Sequence, residues 1–334
     1  MMKKVCSLFA ALLLLSAVRS TALAAEPLSA YKTLTQESAE AIVAAAKDAA
    51  SKIESPIYKG QKLKMHIHVI GREATLMAAS QALGAWPGSD DIATRKAKTA
   101  FLFKLPTRVI GELSRPELKD KGPLYGIEHS NGGLITFPGG LPIFENDELV
   151  GAIGVSGDTV DMDEKVAQAG VDAFKALKNA TADLPSITQV AAAEIAEAAA
   201  KKALELESPI YTGKKTKMHI HVIGAEGTLL YATQADDAWP GSDDIATKKA
   251  KTARLFKLPS SVIGDLSRPE LKDKGPLYGI EFSNDGLISF PGGQPLFDSK
   301  GNCVGAVGVS GDTVGRDDEV AKAAVEAFNK LVKK

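Results

Sequence analysis

FPGGLPIFENDELVGAIGVSGDTV, residues 137–160, returns as FPGGQPLFDSKGNCVGAVGVSGDTV at residues 290–314, one residue longer. Upstream of it, residues 54–144 align without gaps on residues 207–297 at an offset of 153, with 71 identities in 91 positions. Identity at that level means that the two copies share one fold, and a period of that size divides the 334-residue chain into two domains. Inside each copy the pattern is mixed. An Ala-rich amphipathic run predicts a helix over residues 37–54 and 188–206, ended by Ser55-Pro56 and Ser208-Pro209. KMHIHVIG alternates as a strand does and turns near residues 71–74 into a second strand, TLMAAS. Ser89-Asp90-Asp91 reads as the cap and acidic first turn of a helix that Pro106 closes, with a short helix near residues 109–113. SRPELKDKGPLYGIE then predicts a long loop, and GLITF, LPIFE and LVGAIGVS predict three strands before a final helix over residues 162–177. That order gives an α+β fold: an antiparallel sheet of about five strands with helices packed on it, built twice. The expected division is residues 25–180 and 181–334, with the junction in the stretch 179–186.

Residues 1–24 have a different character. Lys3 and Lys4 precede an apolar run from Leu8 to Val18, and small residues follow up to Ala25. This is the order of a secretory signal peptide, with cleavage expected after Ala24 and a periplasmic or secreted mature protein. The apolar run is too short to span a bilayer. Cleavage removes Lys3, Lys4, Arg19 and Cys6 and no acid, leaving 37 basic residues against 41 acidic and the single thiol of Cys303. A near-neutral, slightly acidic chain lacks the basic footprint of a nucleic-acid binder. Two cysteines build neither a disulfide framework nor a four-cysteine zinc or iron–sulfur site.

With DDIATRKAKTA ahead of them, the runs YGIEHSNGGLITFPGGLPIF and VGAIGVSGDTVDMDEKVAQAG resemble the GlcG/HbpS family of small haem-binding domains. The same domain type forms the C-terminal part of PduO-like proteins. The resemblance covers each repeat nearly end to end. It implies profilin- or PAS-like α+β domains, assembly into homo-oligomers, and haem or another tetrapyrrole as ligand. The chain departs from the family in its second strand: GREATLMAASQALGAWPGSDD stands where members carry a D-x-x-G-x-L turn and an Arg-x-Asp-Gly-Ala stretch.

All five histidines, His66, His68, His129, His219 and His221, lie inside the repeats. His66 and His68 project from one face of a strand, about 6.6 Å apart along it, as do His219 and His221. Such a pair can grip one divalent metal ion if a third ligand joins, and Glu128 or His129 is the candidate in the first repeat. The second repeat has Glu281 but Phe282 in place of His129. For haem the two imidazoles of one strand cannot sandwich one iron, so a bis-histidine site would take one histidine from each repeat or subunit. A strand that merely carries two histidines is the plain alternative. Glu128, Thr136, Glu281 and Ser289 sit in loops able to orient a ligand's carboxylates or to form a tight turn. The glycines at 151, 154 and 157 match neither a dinucleotide fingerprint nor a P-loop and instead suit close helix–strand packing. Asp90-Asp91 and Asp243-Asp244 read as helix caps, Arg95, Lys96 and Lys98 as a solvated face, and Trp86 and Trp239 as core or interface anchors. No nucleophile–base–acid set can be assigned. Three functions follow: a secreted tetrapyrrole-binding protein for haem storage, sensing or delivery; a periplasmic enzyme acting on haem or a small organic acid; or a structural module that assembles without a ligand. The partner in the first two is a small molecule.

Overall fold

The computed structural model describes residues 26–114, 122–267 and 275–333. The expected signal segment and part of the expected long loop (115–121, and 268–274 in the second copy) lie outside the described residues. The first repeat runs β1 (Leu28–Leu34), α1 (Gln36–Lys52), β2 (His66–Gly71), β3 (Leu76–Gln81), α2 (Ser89–Phe103), α3 (Thr107–Ser114), β4 (Gly140–Glu145), β5 (Glu148–Ser156) and α4 (Val160–Lys175). The second repeats it as β6 (Thr181–Ile187), α5 (Gln189–Glu205), β7 (His219–Gly224), β8 (Leu229–Gln234), α6 (Ser242–Phe256), α7 (Ser260–Ser267), β9 (Gly293–Phe297), β10 (Cys303–Ser310) and α8 (Val314–Leu331). The fold is α+β, two similar domains in tandem.

Each domain is a helix–sheet–helix stack on an antiparallel sheet of order β3-β2-β5-β4, or β8-β7-β10-β9. α1 begins where the Thr35 hydroxyl accepts the Ser38 N–H, and its apolar stripe Ala39, Ile42, Val43, Ala46 and Ala50 is buried. α1 and α4 cover one sheet face together with Ile67, Val69, Ile153 and Val155. α2 covers the other face with Ala97, Ala100 and Phe101 against Ile70 and Ala152. The approach is close because of Gly154: a Cβ there would lie 2.0 Å from the Ala93 carbonyl oxygen. Strand alternation therefore sends Ile67 and Val69 into the α1–α4 core and places His66, His68 and Ile70 beneath α2.

Three expectations change. GLITF is not a strand; the backbone of Ile135 is held instead by the Thr99 hydroxyl of α2, 3.1 Å away. Each sheet has four strands rather than about five, and the stretch expected to be a bare junction forms β6, which pairs antiparallel with β1 in a separate two-stranded sheet. Leu28 lies opposite Ile187, Leu34 opposite Thr181 and Tyr31 opposite Leu184, so each strand meets its own counterpart about a pseudo-twofold axis at the central pair. Two ion pairs between buried arginines and half-buried glutamates join the same surfaces, Arg72 with Glu226 and Arg254 with Glu73. Third, Lys96 is no solvated residue: it is fully buried, donates to Asp163 (2.7 Å) and the Val155 carbonyl (2.9 Å), and Lys249 does the same with Asp317 and Val309. Burial pushes the Lys96 amine down and the Asp163 carboxyl up, while their contact opposes both. Among the described residues no helix is long and apolar enough to cross a membrane.

Candidate functional site

His66 and His68 sit side by side on β2, their rings 6.3 Å apart and nearly perpendicular, opposite Ser156 and Gly154 of β5. α2 closes over them. Its first residue follows Gly88, which gives no side-chain cap, so Asp90 is free of the capping role expected of it. Asp90 turns its carboxylate to the histidines instead: Oδ1 lies 3.4 Å from His66 Nδ1 and 3.2 Å from His68 Nε2. One turn further along α2, Thr94 Oγ1 lies 2.8 Å from His68 Nδ1. The second repeat copies the cluster: Asp243 Oδ1 stands 3.6 Å from His219 Nδ1 and 3.3 Å from His221 Nε2, and Thr247 lies 2.7 Å from His221 Nδ1. The histidines are buried while the Asp90 side chain is 65% exposed, so the cluster meets solvent on the carboxylate side. Burial is the largest influence on His68 and His221 and holds both below the usual histidine range, despite the neighbouring carboxylates.

The third member expected for this cluster was Glu128 or His129, and the structure brings neither. Glu128 accepts hydrogen bonds from Ser114 (2.6 Å) and Thr136 (3.0 Å), which tie the loop back onto α3; Glu281 is bound likewise by Ser267 and by Ser289 at 2.8 Å. Burial alone would raise Glu128, but these hydroxyls, a backbone N–H and His129 outweigh it and hold the carboxyl below its ordinary value. The four residues thus staple the loop through Oε1 of each glutamate. His129 is exposed on a single 3-10 turn, Ile127–His129. Nor does the histidine pair suit a haem iron as arranged. Both rings leave the same face of β2, and Nε2 of His68 already faces Asp90 at 3.2 Å beneath α2.

A second pair of sites was missed by sequence reasoning. Tyr58, Gln61, Lys62, Lys64, Trp86 and Asp158 line a cleft of about 290 Å³, and Tyr211, Lys214, Lys215, Lys217, Trp239 and Asp312 line its counterpart of about 240 Å³. Trp86 donates its indole N–H to the Tyr58 phenol at 3.0 Å, edge to face, and Trp239 does so to Tyr211. The copies differ in charge. Lys217 is paired with Asp237 at 2.9 Å, whereas Gly84 occupies the equivalent place beside Lys64. The WPG sequence was read as an anchor; the signal for a cleft was the lysine spacing of KKTK and QKLK just ahead of each histidine strand.

Fold and sites together define a duplicated α+β domain with two buried imidazole–carboxylate clusters and two aromatic, lysine-edged clefts. The family model "Haem degrading protein HbpS-like" matches residues 34–172 and again 187–326, and the chain belongs to that family. An uncharacterised 15.0 kDa protein from the dhaT-dhaS intergenic region of Citrobacter freundii is 33% identical over 154 residues, 46% of this chain and 99% of that protein. The corrinoid adenosyltransferase PduO of Salmonella typhimurium is 29% identical over 137 residues, which span 41% of this chain and only 37% of the adenosyltransferase. Among solved structures, the PduOC:heme complex matches 42% of this chain and 94% of its own, at 26% identity and a TM-score of 0.37.

Proposed function

We propose that this chain is an extracytoplasmic tetrapyrrole-binding protein, with haem as its ligand, serving storage, sensing or delivery. The observation that carries the reading is that each repeat, taken separately, matches a family described by its action on haem. Within the chain, the clefts suit part of such a ligand. A flat apolar ring edge can lie along Tyr58 and Trp86, and a carboxylate can meet Lys64. At about 290 Å³ the cleft is at the small end of ligand pockets, so it would hold one side of the macrocycle with the remainder exposed or covered by a second molecule. The buried histidines are left out of this assignment for the reason given above.

Two measurements test the reading. Titration of haemin into the mature protein should give a saturable, shifted Soret band that persists when a reductant is added. Steady loss of the band with reductant would instead favour a haem-degrading enzyme, and no saturable change would favour a purely structural module. Mass spectrometry of protein from the native host should find Ala25 or Glu26 at the N-terminus; an intact Met1 would contradict export.

A further inference from the structure

We propose that each repeat binds one divalent transition-metal ion, held by His66, His68 and Asp90 in the first and by His219, His221 and Asp243 in the second. Hydrogen-bond direction provides the reason. The Thr94 hydroxyl lies 3.3 Å from the Asp90 carbonyl oxygen, one turn back along α2, and 2.8 Å from His68 Nδ1, so by donating to the carbonyl it can accept from the imidazole. In that tautomer His68 Nδ1 carries the proton and the Nε2 lone pair faces the Asp90 carboxylate at 3.2 Å. Two acceptors that close repel each other unless a proton or a metal ion lies between them. His66 adds to the demand: among the described residues neither of its ring nitrogens has a hydrogen-bond partner, though both are buried and Nδ1 is turned to the same carboxylate oxygen.

The second repeat reproduces every part of this. Thr247 donates to the Asp243 carbonyl at 3.4 Å and lies 2.7 Å from His221 Nδ1, and among the described residues both nitrogens of His219 lack a hydrogen-bond partner. The spacing also fits a metal. Bonds of about 2.0–2.2 Å at tetrahedral angles place neighbouring ligand atoms roughly 3.3–3.6 Å apart. The nitrogen–oxygen separations here are 3.4 and 3.2 Å in one copy and 3.6 and 3.3 Å in the other. All three ligand atoms of each group lie within 4.8 Å of one another. Two imidazoles and one carboxylate suit zinc and its transition-metal neighbours and disfavour calcium and magnesium, which take oxygen ligands. Three protein ligands with an exposed carboxylate leave a coordination position on the solvent side. Thr94 and Thr247 are positioning residues that fix the imidazole tautomer, as the outer partners of metal-bound histidines commonly do.

The test uses Zn²⁺ by calorimetry and Co²⁺ by visible absorption on the full mature chain. Two equivalents should bind, and prior Zn²⁺ should abolish the Co²⁺ spectrum. The D90N/D243N variant changes exposed side chains, should fold normally by circular dichroism, and should lose at least tenfold in Zn²⁺ affinity. T94V/T247V should lose 10- to 100-fold, since the imidazole is no longer held by its outer partner. Haemin affinity should be unchanged in D90N/D243N, which keeps this proposal separable from the haem reading. No saturable Zn²⁺ binding to the folded wild-type chain, or binding that survives in D90N/D243N, would overturn it.

Discussion

At the scale of single residues, the buried Lys96–Asp163 pair and the half-buried Glu128 hold charge by opposite logic. Lys96 and Asp163 satisfy each other inside the core, so removing one strands the other. Lys96→Met should cost about 3–5 kcal/mol by denaturant unfolding, and K96M/D163N should recover part of that loss. Glu128 is held below its ordinary value of 4.5 by Ser114 and Thr136. A lowered carboxyl stabilises the fold above its unfolded value and loses that contribution as the pH falls through the folded one. The urea midpoint of E128Q/E281Q should therefore fall less than that of the wild type between about pH 5 and pH 3; equal falls would show that these loops do not contribute. The H-x-H spacing was legible in the sequence, because alternation along a strand puts both rings on one face. Asp90 was not. Its place next to Ser89 imitates a cap, and only the observation that Gly88 precedes the helix frees it. Lys96 was misread for a related reason: it lies on the stripe of Ala93, Ala97 and Ala100, whereas its neighbour Lys98 is outside it.

Among the elements, α2 organises the most, since it supplies Asp90, Thr94 and Lys96 and rests on the glycines of β5. Gly154→Ala would drive a methyl group into the Ala93 carbonyl, which is backbone and cannot turn aside. The cost should be about 3 kcal/mol, the upper end for overpacking, with α2 lifted from the histidines; a loss under about 1 kcal/mol would mean that the helix seats more loosely than described. The helices and the paired strands β2, β3 and β5 follow from periodicity that the sequence carries openly. GLITF misled because its apolar alternation is satisfied by α2 and α3 rather than by a neighbouring strand. β1 and β6 were invisible for a different reason. LSAYKTL and TADLPSI are mostly half-exposed, Pro185 argues for a turn, and each strand pairs only with a segment about 150 residues away.

On the whole-molecule scale, the two repeats form a covalently joined pseudo-dimer, and their differences are coordinated. Glu73 and Glu226 are equivalent, yet the arginines that meet them come from different positions: Arg72 stands where the second copy has Ala225, and Arg254 where the first has Phe101. The interface is thus specific to one repeat facing the other. Arg72→Ala should destabilise by about 3 kcal/mol, with a non-additive double cycle against Glu226→Gln; additive effects would show that the repeats are not coupled there. The central claim is that the twin clefts hold the tetrapyrrole, and the chain provides its own reporter, since its only two tryptophans, Trp86 and Trp239, each line one cleft. Tryptophan emission followed during haemin titration tests the claim directly. Saturable quenching of both residues is expected, with tighter quenching of Trp86 in the W239F variant than of Trp239 in W86F, because Lys64 lacks the counter-charge that Asp237 gives Lys217. Saturable haemin binding by absorbance with tryptophan emission unchanged would place the ligand elsewhere and contradict the account.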